Sequence, residues 1–183
     1  MKRKNRSWPS KFLPFLCFGF ILSSCESEFE NSPKNEVVFY LSGEVLQGQP
    51  GQLVIDENNP SNRYSRIDSV SVYGIGVDYF LPDSIKNGNL KIVISGKIRE
   101  SESINSSIAI SLHGSADSIY YWGELYSGNY IKQLNNWVNI KDSVIIEQKA
   151  NNERSKNLQI FSRKVKGKGF FDVDDLTVKI TRE

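Results

Sequence analysis

Beyond residue 35 the chain alternates apolar and polar side chains with a period of two. Leu90, Ile92, Ile94 and Ile98 alternate with Lys91, Val93, Ser95 and Lys97. Ile108, Ile110 and Leu112 alternate with Ala109, Ser111 and His113, and Leu176, Val178 and Ile180 with Thr177, Lys179 and Thr181. Such alternation puts one face on a core and the other in water, as in a strand. Further strands are predicted at 36–41, 52–55, 67–73, 77–81, 118–122, 136–140, 142–147 and 157–163. Turn-forming residues separate them: Asp56-Glu57-Asn58-Asn59-Pro60, Lys86-Asn87-Gly88-Asn89 and Lys166-Gly167-Lys168-Gly169. No segment has the 3.6 period of a long amphipathic helix. The pattern predicts an all-β domain over residues 36–183, a two-sheet β-sandwich of the jelly-roll kind.

The first residues follow a different logic. Lys2, Arg3, Lys4, Arg6 and Lys11 precede an apolar run, Phe12 to Leu22, and no acid occurs before Glu26. A basic start followed by a short apolar run predicts a secretory signal over residues 1–24. The run has 11 positions, whereas a spanning helix needs roughly 17–25; Pro14 and Gly19 weaken it further as a membrane helix. Leu22-Ser23-Ser24-Cys25 resembles the lipobox of bacterial lipoproteins. That resemblance implies cleavage before Cys25 and a diacylglycerol on its thiol. Glu26 to Asn35 is acidic and aperiodic, which predicts a flexible tether over 25–35. Acids just behind the lipidated Cys resemble export signals of some outer-membrane lipoproteins. The expected address is the cell envelope, lipid-anchored, most simply at the outer membrane, with either face open.

Charge and cysteine content take on meaning only after this division. The whole chain carries 23 Lys+Arg and 21 Asp+Glu, a formal +2. Five of the basic residues and none of the acids precede Cys25, so 18 against 21 leaves −3. A cationic surface for nucleic acid is not expected, and no aromatic interleaving accompanies the basic stretch from Arg163 to Lys168, which is expected to be a solvated turn. Of the two cysteines, Cys17 lies within the signal and Cys25 is the lipid attachment, so no free thiol is expected in an oxidising compartment. A single His excludes multi-His metal sites.

From about Val77 to Ile180 the chain resembles the galactose-binding-like jelly rolls used by many carbohydrate-binding modules. The resemblance is carried by Tyr79-Phe80-Leu81-Pro82, the strand Leu90–Ile98, Asn136-Trp137-Val138, Leu158-Gln159-Ile160-Phe161 and Phe170-Phe171-Asp172-Val173-Asp174-Asp175-Leu176-Thr177-Val178. It implies glycan binding without catalysis. The rival expectation is a structural or interaction lipoprotein that docks a protein partner in an envelope assembly.

Two clusters are candidates for chemistry. Tyr120, Tyr121, Trp122, Glu124, Tyr126, Asn129 and Tyr130 crowd one segment. Flat rings stack on the apolar face of a pyranose, with Glu124, Asn129 and Gln133 to bond hydroxyls; packing into the core is the alternative, and Trp137 reads as core. Asp172, Asp174 and Asp175 form the second cluster. By parity Asp172 and Asp174 share a face with Leu176, Val178 and Ile180, and a carboxylate turned inward needs a cation or several donors. Hard oxygens suit calcium. The resemblance implies a structural Ca²⁺ at Asp174 or Asp175 with Asp56, Glu57 or backbone carbonyls near the first strands, whereas a bulge resetting the parity would leave these acids solvated. Asp172-x-Asp174 also resembles, loosely, the acidic strand of jelly-roll glycoside hydrolases, but the usual Glu positions are Asp or Leu. No nucleophile motif accompanies His113. Catalysis is therefore not expected.

Overall fold

The computed structural model describes residues 35–42, 52–86, 88–102, 105–114, 118–147, 157–164 and 167–183. The signal, Cys25 and all of the tether except Asn35 lie outside these. Among the described residues there are ten strands: β1 (Glu36–Leu41), β2 (Gln52–Asp56), β3 (Asn59–Ile67), β4 (Tyr73–Phe80), β5 (Leu90–Glu100), β6 (Ser106–His113), β7 (Ile119–Tyr126), β8 (Val138–Ile146), β9 (Asn157–Lys164) and β10 (Phe171–Arg182). The described helical pieces are a single turn, Asp83–Lys86, and a 3₁₀ turn, Ser127–Asn129.

The strands form two antiparallel sheets, a β-sandwich of the expected jelly-roll class. One sheet is ordered β2-β3-β10-β5-β8, with β1 also on β10; the other is β4-β9-β6-β7. The chain passes repeatedly from sheet to sheet, and the apolar faces meet between them. In β5 Leu90, Ile92, Ile94 and Ile98 are buried on one face, and Ile92 and Ile94 face Ile180 and Val178 in register. Fully burying an Ile side chain contributes about 1.5–3 kcal/mol, so one slip of register would move a whole row into water.

β10 runs down the middle of its sheet and is shared on one side. Phe171–Val173 pair with β3, and Leu176–Thr181 pair with β1. The handover falls at a bulge between Asp174 and Thr177, with Asp175 at φ 49°. The bulge corrects the parity expected for the acids. Phe171 and Val173 point into the core before it and Leu176 and Val178 after it, so Asp172 and Asp174 point outward.

Other strands differ from expectation in instructive ways. The middle of the predicted strand 67–73 is the connection from β3 to β4, with Ile67 ending β3 and Tyr73 opening β4. Asp68 Oδ1 accepts the backbone N–H of Val70 at 2.7 Å and of Ser71 at 2.8 Å, and this Asx turn overrides the Val-Ser-Val alternation. The bonds from Ser71 and Val70 hold the Asp68 carboxyl below its ordinary pKa. The two predicted strands 136–140 and 142–147 are one strand, β8. Among the described residues it pairs only with β5, and its Lys141 and Asp142 are exposed at that edge.

Candidate functional site

The outer face of the four-stranded sheet is built from cross-strand neighbours. Trp122 on β7 faces Ser111 on β6, which faces Gln159 on β9, which faces Asp78 on β4. One step along, Glu124, Ala109 and Phe161 follow the same path. Strand β6 contributes three small outward residues, Ser107, Ala109 and Ser111, before His113 at its end, so beside these three the larger side chains of its neighbours rise on either side. Their inward partners, Ile108, Ile110 and Leu112, anchor the strand in the core.

A cleft of about 460 Å³ opens on this face, lined by Tyr73, Asp78, Trp122, Gln159 and Phe161 over Gly74 and Gly76. Its size suits a small ligand or a segment of a longer one. Phe161 lies at its centre: the ring of Tyr73 meets it edge-on at 5.6 Å, and that of Trp122 at 6.1 Å. Tyr73 is 61 % exposed and Trp122 43 %. Gln159 Nε2 donates to Asp78 Oδ2 at 3.3 Å, a weak bond that leaves both groups open to a ligand's hydroxyls. The floor depends on Gly76, where a Cβ would sit 2.4 Å from the Ile160 carbonyl oxygen and 2.8 Å from Phe161 Cβ.

The residues expected to bind ligand divide. Trp122 lines the cleft. Tyr120 and Tyr126 share its strand face and are exposed, but neither lines the cleft. Asn129 is exposed in the 3₁₀ turn after β7, and Gln133 on the following loop. Glu124 lies beneath Trp122 with both carboxylate oxygens engaged: Oε1 by Trp122 Nε1 at 2.8 Å and Oε2 by Ser107 Oγ at 2.8 Å. Sequence reasoning missed Tyr73, Asp78, Gln159 and Phe161. A signal was present, since Gln159, Phe161 and Arg163 occupy the polar phase of a strand whose other phase is Leu158 and Ile160.

The basic stretch also divides. Arg163 belongs to the open face, 3.5 Å from Glu124 and 5.2 Å above the Trp122 ring. Lys164 turns inward instead of forming part of a solvated turn. Its amine is 3.9 Å from Glu100, whose oxygens accept Ser106 and Ser127 hydroxyls at 2.8 Å.

On the opposite sheet Asp172 and Asp174 are buried, whereas Asp175 is exposed. Asp172 is fully buried and accepts from Arg66 Nε at 2.8 Å and Nη2 at 2.9 Å, and from Arg99 Nε at 3.1 Å and Nη2 at 2.7 Å. Burial and four charge-assisted bonds leave this carboxylate nothing to attack with. Arg66 stacks over Phe170 at 3.7 Å and Arg99 over Trp137 at 4.6 Å, so Trp137 covers an outer face and is not core as expected.

The residues expected to hold calcium do not fit one as placed. Asp175 is paired with Lys97 at 2.6 Å. Asp174 accepts from Asn62 Nδ2 at 3.2 Å and from the Asp175 amide at 2.9 Å. Its pKa is raised, first by burial and then by the charge of Asp175, against the lowering effect of the Asn62 bond. Asp56 accepts the Asn58 amide at the β2–β3 turn, where Glu57 is exposed. Among the described residues no three His, Cys, Asp or Glu side chains gather to hold a metal.

No family model matches the chain, and no curated protein matches it either. Among solved structures it is similar to the CBM22-1 xylan-binding domain of Xyn10C from Paenibacillus barcinonensis, with 12 % identity, 83 % of this chain and 99 % of that one covered, and a TM-score of 0.49. The xylan-binding module CBM15 gives 11 % identity, 80 % and 97 % coverage and a TM-score of 0.42. The VP2 subviral particle of infectious bursal disease virus gives 12 % identity, 81 % coverage of this chain and a TM-score of 0.46; the match spans 33 % of the viral chain. Likeness at this level assigns no ligand.

Proposed function

We propose that the domain is a non-catalytic carbohydrate-binding module, carried on a lipid at Cys25 in the cell envelope, and that the cleft on the four-stranded sheet takes a neutral glycan. The observation that carries the reading is the cleft itself: Tyr73 and Trp122 leave ring surface in water on either side of Phe161, with Asp78 and Gln159 beside them. Exposed rings of this size are costly on a surface unless something covers them. A pyranose offers C–H groups to the rings and hydroxyls to the amide and carboxylate. Neutrality follows from charge. Among the residues that line the cleft Asp78 is the charged one. Arg163, a described cation beside the cleft, already faces Glu124 and the Trp122 ring. A uronic-acid polymer would bring its carboxylates to Asp78 without a counter-charge.

Affinity electrophoresis of the full chain through gels containing xylan, dextran, hydroxyethyl cellulose or polygalacturonate tests this. Retardation is expected in at least one neutral gel and not in polygalacturonate. Free migration in all of the neutral gels would overturn the reading.

A further inference from the structure

Glu124 has the residue type of a sugar ligand and the contacts of something else. Its side chain is only 7 % exposed. Oε1 takes the indole N–H of Trp122 at 2.8 Å and lies 3.5 Å from Arg163 Nη2, while Oε2 takes the hydroxyl of Ser107 at 2.8 Å. All of these partners lie on the sheet, and Glu124, buried among them, is not among the residues that line the cleft. Trp122 has two side-chain torsions, and its neighbours on the sheet bear on both. The bond to Glu124 sets the rotation of the ring, and the Phe161 edge and the Arg163 guanidinium set its tilt. Arg163 in turn is held beside the ring by the charge of Glu124.

We infer that Glu124 is a positioning residue that presets the Trp122 ring as a wall of the cleft without touching the ligand. The inference rests on the glycan reading of the cleft. On an edge strand, a half-exposed Trp without this clamp spreads over several staggered rotamers. A ligand that needs one of them then binds more weakly, in proportion to the population lost. Glutamine preserves the clamp: its carbonyl oxygen accepts the indole N–H, and its amide donates to Ser107 Oγ, which accepts as readily as it donates. Alanine removes both.

The test joins a spectrum to an affinity, using the full chain labelled with ¹⁵N. The Trp122 indole N–H signal is identified by its loss in Trp122→Phe. Glu124→Ala should move and broaden that signal and weaken binding to the neutral polysaccharide that retards wild type by about tenfold. Glu124→Gln should keep both near wild type. Ser107→Ala, which loosens the carboxylate without removing it, should move both in the direction of Glu124→Ala by less. Ser107→Ala and Glu124→Gln decide the matter should Glu124→Ala not fold. Loss of affinity with an unmoved indole signal would make Glu124 a ligand contact and overturn the inference alone. So would a moved signal with unchanged affinity. Wild type that binds no neutral polysaccharide overturns the glycan reading, and with it the role given to Glu124, whatever the spectra show.

Discussion

The two outer faces of the sandwich are made from the same kinds of residue and do opposite things with them. On the six-stranded face a carboxylate, Asp172, gathers Arg66 and Arg99 among Tyr64, Trp137 and Phe170. On the four-stranded face a carboxylate, Glu124, stands with Arg163 beside Trp122, Phe161 and Tyr73. In the first cluster the guanidiniums cover the rings and the rings cover the guanidiniums, so the faces a sugar would stack on are already taken. In the second a single guanidinium sits 5.2 Å from the Trp122 ring, and the Tyr73 and Trp122 rings stay in water. An aromatic cluster is a binding surface only where its faces are left uncovered. Two guanidiniums on one buried carboxylate make a staple across three strands.

The largest effect that can break this contrast is on the staple. Asp172→Ala leaves two guanidiniums under aromatic cover with no shared counter-charge, and unfolding in urea should show a loss of about 3 kcal/mol. A loss under about 1 kcal/mol would mean that the cluster is ornamental. The cleft floor comes next. Gly76→Ala pushes a Cβ against the Ile160 carbonyl, so stability should fall by about 1–3 kcal/mol and calorimetry should show polysaccharide binding lost with it. An unchanged melting temperature with intact binding would remove the floor from the account.

Smaller still is a pH effect on the sealed face. Burial raises the Asp174 pKa above its ordinary 3.8, so the fold favours the neutral acid. Its contribution is complete below pH 3.8 and declines as pH rises through the raised value. Asp174→Asn, which keeps a neutral group beside Asn62, should therefore match wild type near pH 3 and melt slightly higher at pH 7. Wild type melting higher at pH 7 would reverse the sign and contradict a desolvated carboxylate. Chelation should have the smallest effect. With Asp174 and Asp175 already answered by Asn62, Lys97 and a backbone amide, excess EDTA should leave the melting temperature unchanged. A fall would show a bound cation.

The sheets were legible in the sequence because period-two alternation reports a buried face directly, as β5, β6 and β9 show. β3 was not read as a strand, since Asn59-Pro60-Ser61-Asn62-Arg63 carries almost no apolar signal; its inward residues are few and its outward ones serve the staple. The parity of Asp172 and Asp174 failed for a local reason, the bulge with Asp175 at positive φ. The candidate site was legible by half. Trp122 and Glu124 lie close together in sequence, so their association could be read. Tyr73, Asp78, Gln159 and Phe161 come from β4 and β9, and only the pairing of these strands with each other and with β6 brings them to Trp122. Pairing between distant strands leaves no local trace. The role of Glu124 was missed because chemistry alone does not show which way a carboxylate is already committed.

The uncovered rings of the four-stranded face are proposed to bind a neutral glycan. The most direct test is isothermal titration of wild type and Trp122→Ala with the neutral polysaccharide that retards wild type. Losing a half-exposed anchoring Trp should weaken binding by tenfold or more while the melting temperature stays near that of wild type. Equal affinity in the two proteins would contradict the claim.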